Sequence, residues 1–175
     1  SSHVYNETLI ELINNFRSDP GASKKRFSML SKALRRTKML KGAEMLNEYA
    51  DYITKVPGMN GLTVSKGLQK TAEKILISII KGSGNLDLMM TNKKLKERAD
   101  NFTESNEGIV STADEGDLDF ILSRLITSQK ENGNFCDAIL SKDNKFIGVA
   151  SADYVDDPIS VVVLATDVCE TAEED

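Results

Sequence analysis

Two short runs near the end of the chain constrain the fold more than any other feature. Phe146-Ile147-Gly148-Val149-Ala150 and Ile159-Ser160-Val161-Val162-Val163-Leu164-Ala165 are rich in β-branched residues and apolar at nearly every position, so neither keeps a polar face for water. Strands of this kind need cover on both sides. Asp156-Asp157-Pro158 between them reads as a hairpin connection. A third short strand is expected over 108–111.

The cover is written into the preceding residues as helical periodicity. Leu9, Leu12, Ile13 and Phe16 share one face of a helix expected over 6–19 and stopped by Asp19-Pro20-Gly21. Phe27, Leu30 and Leu34 do the same over 22–34, as do Ala43, Leu46, Ala50 and Ile53 over 42–53, closed by Pro57-Gly58. Ser65 is placed to cap a helix whose Leu68, Ala72, Ile75, Leu76 and Ile79 make a broad apolar stripe ending at Gly82-Ser83-Gly84. After a loop with Met89 and Met90, the pattern predicts a polar helix over 92–101. Asp114 then caps an amphipathic helix with Leu118, Ile121, Leu122, Leu125 and Ile126 in register. Helices that precede and flank an apolar sheet give an α+β fold, a three-layer α-β-α sandwich with a small antiparallel sheet. The expected domain spans residues 1–169, followed by an acidic tail over 170–175.

Composition narrows the function. With 175 residues, 40% of them hydrophobic, the chain can bury one substantial core. A net charge of -5 without a long basic stripe of interleaved aromatics argues against nucleic acid as a partner. The densest basic run, Lys24, Lys25, Arg26, Lys32, Arg35, Arg36, Lys38 and Lys41, reads first as a solvated helix face and second as a contact for an acidic partner or an anionic surface. No stretch has the length and apolarity of a transmembrane helix. The start lacks the signature of a signal peptide, which fits a cytosolic protein or a processed one. Sequons at Asn6 and Asn101 tilt the expectation toward an extracellular, secreted protein, with a subunit of an intracellular complex as the other option.

Chemistry-bearing residues are sparse. His3 is the only histidine, so a base for Cys136, or for any serine or threonine nucleophile, is missing from the interior of the chain. Cys136 and Cys169 are too few for a disulfide framework and lack metal-ligand spacing, leaving one bridge or two thiols. Gly82-Ser83-Gly84 lacks the Lys-Ser/Thr of a phosphate loop and reads as a helix stop.

Taken in order, the apolar ladder from Leu9 into Asn14-Asn15-Phe16-Arg17, the run Leu62-Thr63-Val64-Ser65 before Leu68 and Ala72, and Ile139-Leu140 followed by Phe146-Ile147-Gly148-Val149-Ala150 resemble the CAP superfamily, the SCP/TAPS or sperm-coating-protein-like domain. The apolar ladder that runs into Asn14-Asn15-Phe16-Arg17 is similar to that family's first helix. Leu62-Thr63-Val64-Ser65, followed by Leu68 and Ala72, resembles its Leu-x-x-Ser helix opening. Ile139-Leu140 and then Phe146-Ile147-Gly148-Val149-Ala150 resemble its Asn-Ile-Leu helix running into an Ile-Gly-Val-Gly strand. The basic insertion after the first helix is similar to eukaryotic members, protists among them. The resemblance implies an α-β-α sandwich, and in many members a cavity where two histidines and two acidic residues hold a divalent metal. At those positions this chain departs. Asn106-Glu107-Gly108-Ile109 stands where the family has Gly-Glu-Asn-Ile, and Phe135 stands where Gly-His-Arg would place a histidine. Glu107 and Phe135 are therefore the expected remnant of the pocket, with no metal and no cofactor. Glu107 alone reads as a strand-edge carboxylate, paired or solvated.

The resulting expectation is a non-catalytic, CAP-like binding or assembly module that acts through protein-protein contacts. The alternative, implied by the resemblance, is a secreted carrier of a sterol or fatty acid. The Met89-Met90 loop would suit an apolar ligand, although such methionines more often fill a core.

Overall fold

The computed structural model describes residues 2–82, 89–90, 102–111, 135–154 and 157–168. The helices expected over 92–101 and after Asp114, together with Asn101, Cys169 and the acidic tail, lie outside the described residues.

Helix α1 (Ser2–Ser18) ends at Asp19, and Pro20 opens a 3-10 turn over Pro20–Ser23 that leads into α2 (Lys24–Arg36). Proline suits that first position because its missing N–H would have had no partner there. Helix α2 stops in a Schellman arrangement: the Met39 N–H reaches the Leu34 carbonyl at 2.9 Å and the Lys38 N–H that of Arg35 at 3.1 Å. This turn needs a left-handed residue, and Lys38 takes it with φ 63°. The chain then reverses into α3 (Leu40–Ile53), antiparallel to α2, with Lys24 and Asp51 paired at 3.5 Å across the far end. After a two-residue strand β1 (Thr63–Val64) comes α4 (Lys66–Gly82). Ser65 caps it as expected, its Oγ accepting from the Leu68 N–H at 3.2 Å.

The remaining elements are β2 (Met89–Met90), β3 (Phe102–Ser111), the short helix α5 (Phe135–Ile139), β4 (Phe146–Tyr154) and β5 (Asp157–Val168). They complete a five-stranded sheet in the order β1-β4-β5-β3-β2. Strands β4, β5, β3 and β2 are antiparallel, whereas β1 pairs with β4 in parallel through Thr63↔Phe146 and Val64↔Ile147. The fold is α+β, and the sheet is mixed at that one edge. A parallel edge was not visible in the sequence because two residues carry no periodicity.

The alternation of strand side chains divides the core in two. Ile147, Val149, Val162 and Leu164 face α1 to α3 and pack with Leu9, Ile13, Phe16, Leu46 and Ile53. Ala150, Val161, Val163 and Ala165 face α4 and meet Leu68, Ala72, Ile75 and Leu76. The expected cover on both faces is present, and three layers result. An aromatic run, Phe16 to Phe27 to Tyr49, with ring centroids 6.4 and 6.1 Å apart, ties α1, α2 and α3 together.

Two expectations are corrected. The pairing of β4 with β5 closes at Tyr154↔Asp157, so Asp157 and Pro158 belong to β5 rather than to the connection. The N–H and C=O of Val149 are turned away from β5, and every second residue along β4 shares that orientation, Asp153 included. Its partner Pro158 therefore turns its nitrogen away from β4, so that no bond of the β4–β5 ladder is lost. The second correction concerns the strand expected over 108–111, which extends back to Phe102 through register shifts around Glu104.

Beyond β1 the backbone of β4 would be an open edge. Gln69 closes it: its Nε2 donates to the Val149 carbonyl at 2.6 Å, and its Oε1 accepts the Val149 N–H at 3.1 Å. A side-chain amide thus continues the sheet by one step. Gly148 makes this approach possible, since a Cβ there would overlap the Leu68 carbonyl.

Candidate functional site

Leu9, Ile13 and Arg17 fall at i, i+4 and i+8, so a cation occupies the core stripe of α1. Arg17 is only 2% exposed. Its Nε donates to the Asn60 carbonyl at 2.9 Å, Nη1 to those of Ile139 and Ser141 at 2.7 and 3.0 Å, and Nη2 to that of Asn144 at 3.1 Å. Burial pulls the guanidinium below its usual pKa, yet an arginine remains a cation. Its charge is met by carbonyl dipoles and by no carboxylate among the described residues. One Nη2 hydrogen has no acceptor among them.

Neighbouring bonds hold the same junction. The Met59 N–H reaches the Arg17 carbonyl at 2.9 Å. Asn14 takes the Leu62 N–H at 2.8 Å and donates to the Leu62 carbonyl at 3.3 Å. The buried Asn144 donates to the Ala138 carbonyl at 2.8 Å. A Cβ on Gly58 would overlap the Ser18 carbonyl, so only glycine lets this loop lie against the end of α1. The loop before β1 and the loop before β4 are thereby fixed on one side-chain anchor.

Between them opens a cleft of about 460 Å³ lined by Arg17, Gly58, Met59, Asn60, Gly61, Thr63, Lys142, Asn144 and Lys145. Lys142 and Lys145 are exposed and make no ion pair among the described residues. Among the described residues the lining holds three cations, two amides and a hydroxyl, with no carboxylate, imidazole or thiol. The two exposed lysines attract anions and offer them N–H donors, whereas all but one of the Arg17 donors are already spent on carbonyls.

The expected remnant pocket lies elsewhere. Glu107 sits in the middle of β3, opposite Val163 of β5 and Met90 of β2. It is not at a sheet edge, as the sequence suggested, because β2 pairs on its other side. Phe135 opens α5, which lies beside β3. Among the described residues no three of His, Cys, Asp and Glu form a group able to hold a metal. Asn6 is buried within α1, so a glycan at that sequon would have to displace packing. No helix among the described residues is long and apolar enough to cross a membrane.

Sequence reasoning passed over Lys142, Asn144 and Lys145, which carry no periodicity or motif. Arg17 did leave a signal, a cation at a core position of an apolar stripe.

No family model matches this chain. No curated protein matches it either. Among solved structures it is similar to an outer surface protein from Borrelia burgdorferi, with 15% identity and a TM-score of 0.47, over 87% of this chain and 95% of that one.

Proposed function

We propose that this chain is a non-catalytic binding module of CAP-like architecture, with the family's metal site lost, that acts through protein contacts and seats an acidic segment of its partner in the cleft. The lining carries the reading: the exposed Lys142 and Lys145 flank the cleft above the buried Arg17, and no carboxylate lines it among the described residues. Carboxylates entering there gain charge-assisted hydrogen bonds, and the anchored loops lose little freedom on binding. A sterol or fatty acid is less favoured in this cleft, whose only large apolar lining residue among the described residues is Met59. Secretion remains part of the proposal on the Asn101 sequon alone, since Asn6 is buried.

The test is calorimetric titration with a short Asp/Glu-rich peptide. Salt-sensitive binding that falls about tenfold in the Lys142→Ala/Lys145→Ala variant is expected, at roughly 1 kcal/mol or less for each exposed charge. An acidic peptide that fails to bind, or binds the variant equally well, would overturn the reading.

A further inference from the structure

The corner where α2 turns into α3 has a charge unlike that of the molecule as a whole. In a chain of net charge -5, no Asp or Glu occurs between Asp19 and Glu44, while eight Lys and Arg do. Arg35, Arg36, Lys38 and Lys41 surround the tip, all exposed. At the tip itself stand two adjacent apolar side chains, Met39 at 57% and Leu40 at 61% exposure. Along α2, Lys25, Met29, Lys32 and Arg36 continue the same exposed stripe at helical spacing. The acids of α3 recede from this end: Glu44 lies one turn along, Glu48 two, and Asp51 is paired with Lys24 at the opposite end. The Schellman bonds hold the turn rigid, with Lys38 in the left-handed region.

We propose that this tip docks on an anionic lipid surface, with Met39 and Leu40 inserted below the headgroups and Arg35, Arg36, Lys38 and Lys41 against lipid phosphates and carboxylates. Apolar residues at an apex ringed by cations match the layering of a bilayer interface, apolar inside and anionic outside. Long basic side chains can lie along the apolar region and still keep their charged ends in the headgroups. Protein hot spots are built on Trp, Tyr and Arg packed in a desolvated pocket, and the segment from Ser28 to Glu48 contains no aromatic residue, its arginines being exposed. The surface is separate from the cleft, and the inference does not depend on what the cleft binds.

The chain has no tryptophan, so Leu40→Trp in the full chain is a single reporter at the tip. Its emission is expected to shift to the blue with vesicles of phosphatidylcholine and phosphatidylserine, to return at high salt, and to stay unshifted with phosphatidylcholine alone. On the wild-type chain, measured by co-sedimentation, Lys38→Ala with Lys41→Ala should lower partitioning about 25-fold, at roughly fivefold per cation. Both positions are exposed, and an unchanged far-ultraviolet circular dichroism spectrum checks the fold. No blue shift, or equal partitioning of the double variant, overturns the proposal. A blue shift produced equally by an acidic peptide without vesicles overturns it in favour of a protein partner.

Discussion

Replacing Arg17 by methionine keeps most of the side-chain volume while removing every donor at the junction. Four carbonyls lose a partner, but not at equal cost. Those of Ile139 and Asn144 are bonded in buried settings, whereas those of Asn60 and Ser141 are partly open, and water in the cleft can take over there. Stranding a buried acceptor costs roughly 1–3 kcal/mol. Two such acceptors give about 4 kcal/mol, partly offset because a desolvated guanidinium is also removed. A net loss of about 3 kcal/mol is expected. Against a typical domain stability of roughly 5–15 kcal/mol, Arg17→Met remains folded, with its urea midpoint lowered by about 1.5 M at an m-value near 2 kcal/mol/M. Arg17→Lys should fall between, since one ammonium cannot span acceptors placed around the whole guanidinium plane. Equilibrium urea unfolding of the three proteins decides the matter. A methionine variant within about 0.5 kcal/mol of wild type would show that these carbonyls do not depend on Arg17.

Gln69→Glu tests the closed sheet edge. An ionised carboxylate accepts the Val149 N–H but repels the Val149 carbonyl, now bonded at 2.6 Å, whereas a protonated one can donate to it. The folded-state pKa of the new residue therefore lies above its unfolded value of about 4.3. The penalty relative to wild type, about 2 kcal/mol at neutral pH, shrinks as pH falls through the folded pKa and is smallest below the unfolded one. A difference in thermal midpoint that stays constant with pH would refute this. Gly148→Ala should cost about 3 kcal/mol, because the Leu68 backbone cannot move aside without displacing α4. Gly21→Ala, whose Cβ would have its nearest neighbour at 3.6 Å, is the control and should cost less than about 1 kcal/mol in the same thermal melt.

The elements that could be read from the sequence were those whose burial is periodic. Leu9, Ile13 and Phe16 announce α1, and Ala43, Leu46, Ala50 and Ile53 announce α3, all of them buried as their spacing required. The unbroken apolarity of Val161 to Ala165 likewise demanded cover on both faces, because a strand without a polar side cannot rest against water. That demand, together with the helical periodicity of the preceding residues, implied helices on each side of the sheet.

The site was decided by tertiary structure. Arg17 meets carbonyl groups more than 120 residues away, at Ile139, Ser141 and Asn144, and these bring Lys142 and Lys145 to the loop that contains Asn60. Gln69 finds Val149 across 80 residues. Every residue carries a backbone carbonyl, so residue type does not reveal which one a buried donor will use. Only the packing that brings distant segments together makes that choice, and the cleft is its product.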